Sequence, residues 1–359
     1  VKKVLILSNH HSYTYNFRKE IIQAIIDEGY KVYIVQPYGE KVENLKKMGC
    51  ECINLSLDRR GTNILTDAIL FKNYYKIMKK IKPDVVLTYT VKPNIYGGFA
   101  SRLLKIPHIP NITGLGTAIE NKSIMQKIMF MMHRTALKRS SCIMFQNEEN
   151  KKIFEREKIG KGKYRLIPGS GVNIEHFDLL DYPSQRSTEF VFISRIMEEK
   201  GIDQYLEAAE YIKKKYPETK FHICGFCEGN YEDKLQQFEK DGVIKYHGMI
   251  NDVREILNHT HCTVHPTFYP EGMSNVLLES AASGRPIITT DRSGCREIVD
   301  DEVNGYIVEQ ENTNDLVNKI ENFLSLKHQK KMNMGLSGRQ KVVMEFDRKF
   351  VVSAYMEEI

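Results

Sequence analysis

The sequence predicts two α/β domains of similar size, each a doubly wound parallel sheet, facing each other across a central cleft. Three observations predict this. Short β-branched apolar runs alternate with longer amphipathic stretches along the whole chain, the pattern of strands joined by crossover helices. A segment rich in glycine, proline and polar residues interrupts that rhythm once, near the middle. The 359 residues, 42% hydrophobic and 27% charged, suit a soluble chain with two cores.

Taken in order, the strand candidates of the first domain are "KVLILS", "KVYIVQ", "CINLSL", "DVVLTYT", "HIPNIT" and "SCIMFQ". Helices are predicted between several of them, for example over residues 16–28 and 69–80. The start, "VKKVLILSNHH", has the basic residues of a secretory leader, but its apolar run is short and polar residues follow. It is predicted to be a buried first strand. The segment "RLIPGSGVNIEHFDLLDYPSQRS" reads as a linker. After it the strand candidates are "FVFISR", "KFHICG", "VIKYHG", "CTVHPT", "PIITTD" and "GYIVEQ". The predicted boundaries are a first domain over 1–170, a linker and hinge over 171–188 and a second domain over 189–345.

Composition excludes several classes. No apolar run approaches the roughly 18 residues of a membrane span. Seven scattered cysteines point to a reducing, cytoplasmic compartment. Cys224 and Cys227 form a C-x-x-C with no second pair nearby, so a buried structural role is expected and no metal site. Neither first βα turn carries G-x-G-x-x-G, which disfavours a dinucleotide-dependent dehydrogenase. Charge is uneven: residues 1–180 hold 30 Lys+Arg and 16 Asp+Glu, a balance of +14, and the remainder sums to −8. That asymmetry predicts an anionic partner for the first domain.

The chemistry is expected at the carboxyl ends of the second domain's strands, where doubly wound sheets bind ligands. There "YPEGMSNVLLESAASGRP" reads as a loop running into a helix. The amides around Ser274, Asn275 and Val276 would form an anion site at the helix start. Glu279, about one turn in, would accept ribose hydroxyls, and Glu271 on the loop would hold hydroxyls of a sugar. Taken alone, Glu279 is equally a favourable first-turn charge and Glu271 a solvated loop residue. A second cluster, "SRIMEEKG", sets Arg195 and Lys200 at a strand end, which suits a diphosphate. Its plain alternative is pairing of Arg195 with Glu199 along a helical turn. The two clusters together favour a nucleotide-sugar site.

These motifs resemble those of the retaining family four glycosyltransferases, which have the GT-B fold. "SRIMEEKG" matches that family's Arg…Lys-Gly motif, "EGMSNVLLE" its E-x7-E motif, and "LIPGSGVNIEHF" its interdomain linker, with "SGCREIVDDEVNGYIV" downstream. "YTVKPNIYGGFAS" and "ITGLGTA" look closest to members that build bacterial capsule, O-antigen or lipid-linked glycans. The resemblance implies that Arg195 and Lys200 neutralise the leaving diphosphate and that Glu271 positions the donor sugar. Glu279 would bind the ribose, and Gly272, Met273, Ser274 and Asn275 would contact sugar and phosphate, with Val276 beside them. Gly225 would line the donor site, and Gly248 and Met249 would lie near the base. It further implies UDP as the nucleotide, no metal or other cofactor, and a C-terminal helix over 346–359 returning to the first domain. One departure stands out: Thr113 occupies the place where many members have a histidine, so no catalytic histidine is carried over. His10, His11, Thr113 and Gly114 are the candidate cleft residues.

Residues 122–139, "KSIMQKIMFMMHRTALKR", hold five cations and no acid. At helical spacing Ile124, Ile128, Met131 and Met132 share a face and Lys127, Arg134 and Lys138 lie elsewhere. This predicts a basic amphipathic helix docking on anionic lipid, with an ordinary core-facing helix as the alternative. No nucleic-acid-binding pattern accompanies the charge. The expected function is transfer of a hexose or N-acetylhexosamine from a UDP-sugar to a polyprenyl-diphosphate-linked saccharide, peripherally at the inner face of the membrane. The rivals are a UDP-sugar 2-epimerase of the same architecture and a non-catalytic partner subunit.

Overall fold

The structure, a computed structural model, describes residues 1–58, 61, 63–116, 123–160 and 163–359. It divides into two compact units, Val1–Gly171 with Arg348–Ile359, and Val172–Asp347.

The first unit runs β1 (Lys3–Leu7), α1 (His11–Asp27), β2 (Lys31–Gln36), α2 (Val42–Lys47), β3 (Glu51–Asn54), α3 (Ile64–Ile81) and β4 (Val85–Tyr89). A π-helical turn (Pro93–Gly97) then leads into α4 (Gly98–Leu104), β5 (His108–Ile112), α5 (Ile124–Ala136), β6 (Cys142–Phe145), α6 (Glu148–Arg156) and β7 (Lys163–Leu166). Among the described residues its sheet has seven parallel strands in the order β3-β2-β1-β4-β5-β6-β7. Val4 and Ile6 of β1 pack with Ile21, Ile22 and Ile25 of α1. Leu5 and Leu7 turn to the other face and meet Leu70, Tyr74 and Met78 of α3. Both faces are covered, so the central strands read as unbroken apolar runs rather than alternating ones.

Three boundaries differ from the sequence reading. α1 starts at His11 because the extended His10 caps it, its Nδ1 accepting the Ser12 N–H at 3.2 Å. α3 starts at Ile64 because the Asn63 Oδ1 accepts the Leu65 N–H at 2.9 Å. β7 was not expected; it is an edge strand whose first and last residues are exposed, and it overlaps the beginning of the linker-like segment.

α5 buries Phe130, His133 and Ala136. Ile124 (78% exposed), Met125, Ile128 and Met131 (57%) remain exposed, with Lys127 and Arg134 exposed among them. Met132 is half-buried, and Lys122 lies outside the described residues. No helix among the described residues is long and apolar enough to cross a membrane.

The second unit runs β8 (Glu189–Ile193), α7 (Ile202–Lys215), β9 (Lys220–Cys224), α8 (Glu232–Lys240), β10 (Lys245–Tyr246), α9 (Val253–Leu257) and β11 (Cys262–His265). It continues with α10 (Asn275–Ala282), β12 (Ile287–Thr290), β13 (Gly305–Val308), α11 (Thr313–Ser325) and α12 (His328–Glu345). Its strands are parallel, in the order β10-β9-β8-β11-β12-β13. Phe190 and Phe192 pack with Tyr205, Leu206 and Ala209 of α7, and Val191 and Ile193 with Ile256 and Leu257 of α9.

From Val172 onward the segment expected as a linker and hinge over 171–188 belongs to the second unit. The buried Arg285 guanidinium donates to the carbonyls of Leu180 (3.3 Å), Asp181 (2.7 Å) and Leu257 (2.7 Å). Arg339 likewise donates to Ile174 (3.0 Å) and Phe177. The chain leaves the first unit at Gly171 and returns at Arg348. Gly171 has φ +63°, and a Cβ there would lie 2.6 Å from the Arg348 Cα, so a side chain cannot be accommodated. Returning, α13 (Arg348–Met356) is pinned by Arg348, whose guanidinium meets Glu20 Oε2 at 2.8 Å and the Asn16 carbonyl at 3.0 Å. All seven cysteines are free thiols.

Candidate active site

In the second unit the strand order reverses between β8 and β11, which pair directly. The loops after these strands therefore diverge and leave a crevice at their carboxyl ends. Into it come a short turn, Glu198–Lys200, and the loop leading to α10. The two are stitched together: the Phe268 N–H and the Thr267 hydroxyl both donate to the Glu199 carbonyl, at 2.9 and 3.2 Å. The turn closes at Gly201, φ +77°, where a Cβ would lie 2.1 Å from the Pro266 carbonyl oxygen. Gly201→Ala is therefore expected to destabilise the protein by about 2–4 kcal/mol. The check is the urea midpoint at unchanged slope; a midpoint equal to wild type would contradict the packing described.

Lys200 and Glu271 form an ion pair within this frame, their side chains only 9% and 14% exposed. Burial pushes the Glu271 carboxyl up, but the Lys200 ammonium and His265 override it and hold it well below the usual carboxylate range. His265 is 2% exposed, its Nε2 3.7 Å from Glu271 Oε1; burial lowers its pKa, against the pull of Glu271. Arg195 donates to Glu228 Oε2 at 2.5 Å rather than along its own turn. Both cations lie over the Tyr269 ring, Arg195 at 5.3 Å and Lys200 at 4.7 Å from its centre, an attraction of about 0.5–2 kcal/mol each. Two of the expected residues, Arg195 and Lys200, are thus gathered around one aromatic ring, with the third, Glu271, paired to Lys200. That is an arrangement able to hold two phosphates beside a hydroxyl-binding carboxylate.

α10 opens at Ser274, and its amide corrects one expectation. The Ser274 N–H donates to the Gly294 carbonyl at 2.7 Å, so it is engaged and not offered to a phosphate. The helix-start amides of Asn275, Val276 and Leu277 are left without an intrahelical acceptor, since the first such bond is from Leu278 to the Ser274 carbonyl. Gly272 and Met273 are buried, while Asn275, Val276 and Glu279 are half-buried along the first turns. At the end of β9, the Gly225 N–H donates to the Gly248 carbonyl at 2.8 Å, and Met249 next to it is 70% exposed. Two surface depressions of about 380 and 490 Å³ lie elsewhere in this unit, around Glu207 and Thr313 and around Asp291 and Lys319. They contain none of these residues.

The candidate cleft residues belong to the first unit. His10 and His11 follow β1, and Thr113 and Gly114 follow β5, with the end of β4 between them in the sheet. His10 is committed in part to capping α1. His11 Nδ1 lies 3.1 Å from the Ser12 hydroxyl, and burial lowers its pKa. Sequence reasoning missed Tyr269, His265 and the Gly294 carbonyl. Tyr269 did carry a signal, an aromatic residue two positions before Glu271 in a polar loop; the other two carried none. Among the described residues no group of three or more His, Cys, Asp or Glu side chains is placed to hold a metal ion.

Known proteins resemble this chain in sequence and in fold. The model of the glycosyl transferases group 1 matches residues 183–341, and that of the Glycosyl transferase 4-like family matches residues 3–147. The N,N'-diacetylbacillosaminyl-diphospho-undecaprenol alpha-1,3-N-acetylgalactosaminyltransferase of Campylobacter jejuni is 24% identical over 98% of this chain and 96% of its own. The UDP-Gal:alpha-D-GlcNAc-diphosphoundecaprenol alpha-1,3-galactosyltransferase of Escherichia coli is 27% identical over 80% of this chain and 78% of its own. Among solved structures, the sucrose-phosphate synthase of Thermosynechococcus elongatus superposes with a TM-score of 0.80 at 17% identity, covering 100% of this chain and 98% of that one. Anabaena HepE, in complex with UDP-glucose, superposes at 0.78 and 15%, covering both chains fully.

Proposed function

The chain belongs to the group 1 glycosyl transferases and has the GT-B fold, and we propose that it transfers a sugar, with retention, from a UDP-sugar to a polyprenyl-diphosphate-linked saccharide. The observation that carries this reading is the buried Lys200–Glu271 pair, with Arg195, over the Tyr269 ring. The donor's diphosphate draws the Lys200 ammonium and the Arg195 guanidinium, and Glu271 turns its oxygens to the hydroxyls of a hexose or N-acetylhexosamine. Glu279 takes the ribose. The bond between the anomeric carbon and the leaving phosphate oxygen then breaks, and the acceptor oxygen bonds to that carbon from the same face. The acceptor's proton passes to the leaving phosphate oxygen. Two cations at the leaving group supply the charge stabilisation the step needs, so the scheme uses neither metal nor protein base. UDP is favoured by the name of the E. coli relative, and a lipid-linked acceptor by the names of both.

The acceptor's lipid anchor calls for a membrane-facing surface at the inner leaflet. The exposed aliphatic face of α5, with Lys127 and Arg134 beside it, supports that role. Replacing Ile124, Ile128 and Met131 together by serine is expected to weaken partition into phosphatidylglycerol-containing vesicles by roughly tenfold or more. Co-sedimentation checks it, and equal binding by wild type and variant would remove α5 from the membrane reading.

The deciding experiment measures nucleotide release from UDP-, GDP- and ADP-sugars, with and without a bacterial polyprenyl-lipid extract. Release from one UDP-sugar only in the presence of lipid, with retained anomeric configuration in the product, is the expected result. Isomerised donor without lipid would instead make the protein an epimerase, and no turnover with any donor would make it a binding subunit.

A further inference from the structure

At the centre of the first sheet, β1 and β4 run side by side in the register Leu7↔Thr88. Asn9 and Thr90 each lie two residues beyond this last pair, just past the strand ends. The strand order reverses between these two strands, so the loops after them diverge and leave a crevice, as in the second unit.

Three features of this spot are unusual. Thr90 has φ +72°. Among the described non-glycine residues with positive φ, the others are Lys82, Lys105, Lys158, Glu302 and Glu311, all unbranched at Cβ. A β-branched residue is a true outlier in that region, and such strain persists where surrounding structure imposes it. Immediately afterwards the chain enters the π-helical turn Pro93–Gly97, a rare conformation that concentrates at functional sites. Finally, Thr90 Oγ1 and Asn9 Oδ1 are both shielded from solvent and have no hydrogen-bond partner.

Several polar groups just beneath them are engaged, although Gln36 Nε2 and the Tyr89 hydroxyl are also buried without a partner. The Thr14 hydroxyl donates to Gln36 Oε1 at 2.6 Å and lies 2.8 Å from the Ser8 hydroxyl. The Thr88 hydroxyl donates to Asn94 Oδ1 at 2.6 Å, with His108 Nε2 at 2.8 Å. Thr90 Oγ1 and Asn9 Oδ1 thus stand unpartnered at the ends of the two strands that flank the crevice. The cation on the following loop, Lys92, is held by Asp67 at 2.7 Å, and Asp67 also accepts the Tyr96 hydroxyl at 2.9 Å. With that charge committed, the crevice offers neutral hydrogen-bonding groups, which suit hydroxyl or acetamido N–H donors better than a phosphate.

We propose that Thr90 and Asn9 form a contact site for an uncharged sugar ring of the acceptor, Asn9 Oδ1 accepting from a sugar O–H or N–H and the Thr90 hydroxyl bonding to a neighbouring hydroxyl. This rests on the transferase reading, so the test has two arms. Acceptor and donor KM are measured for wild type, Thr90→Val, Thr90→Ser and Thr90→Gly. Binding of free N-acetylglucosamine and galactose to the full chain is followed in parallel by saturation-transfer NMR. Thr90→Val keeps the shape and strain but removes the hydroxyl, and it should raise the acceptor KM roughly tenfold while the donor KM stays put. Thr90→Ser should restore acceptor KM to near wild type. Thr90→Gly relieves the strained backbone, so it should melt no lower than Thr90→Val, yet show the same acceptor defect. An acceptor KM unmoved in both Thr90→Val and Thr90→Gly would overturn the inference and leave the transferase standing. Monosaccharide binding lost in Thr90→Val, in a protein that transfers nothing, would uphold the inference and overturn the transferase. Absence of both turnover and monosaccharide binding in wild type would overturn it as well.

Discussion

Lys200→Ala is expected to lower the turnover number about 10²–10³-fold, equivalent to about 2.7–4 kcal/mol of lost transition-state stabilisation. As the glycosidic C–O bond breaks, charge accumulates on the leaving phosphate oxygen. An ammonium held in a site with few waters is worth more there than in solution. Lys200 is held in such a place: it is 7% exposed, with Tyr269 against it and Gly201 fixing the turn behind it. Its effect should fall on turnover more than on donor KM, because the charge it meets is largest in the transition state. Steady-state kinetics with varied donor, alongside a thermal melt, separate this from loss of fold. A variant that keeps turnover within threefold of wild type would remove Lys200 from the chemistry and with it the central support for the mechanism.

Much of this site was legible because its parts are local. "SRIMEEKG" and "EGMSNVLLE" each sit in one loop at the end of a strand whose apolar run is unmistakable. Their approach follows from the sheet alone, since β8 and β11 are neighbours. What was not legible depends on contacts between separate loops. Nothing near Ser274 in the sequence says that its amide is taken by Gly294, and nothing near Arg195 selects Glu228 over Glu199 as a partner. His265 reads as the last residue of a strand until the fold brings Glu271 against it.

The fold shows the same division. Central strands such as β4, covered on both faces, were plain, whereas the edge strand β7 has half-exposed residues and no continuous run. α5 exposes a different limit: its periodicity supports two apolar faces, one through Ile124, Ile128 and Met131, the other through Phe130, His133 and Ala136. Only packing decides which goes inside, and it chose the second. The left-handed Thr90 lies wholly beyond sequence reading, because threonine is the residue no turn rule would put there.

Glu271→Leu alone is expected to destabilise the protein by about 3–5 kcal/mol, whereas Lys200→Met combined with Glu271→Leu should recover most of that loss. The single variant leaves an ammonium buried without its carboxylate, and the Tyr269 ring is too weak a partner to compensate. The double variant removes both desolvated charges and refills their volume with apolar atoms. The chain has no tryptophan, so unfolding is best followed by far-UV circular dichroism in urea. pH adds an independent check. Because the folded Glu271 carboxyl is held below its ordinary value, the pair's contribution is fully present above about pH 4.3 and is lost as pH falls through the folded pKa. Wild type should therefore lose stability more steeply than the double variant below about pH 4. The double variant, though stable, should be inactive, since it presents neither the cation nor the carboxylate. A double variant as unstable as the single one would mean that the pair is itself structural. Recovery of stability without recovery of activity would mean that this protein carries a buried ion pair for the sake of a donor that must divide it.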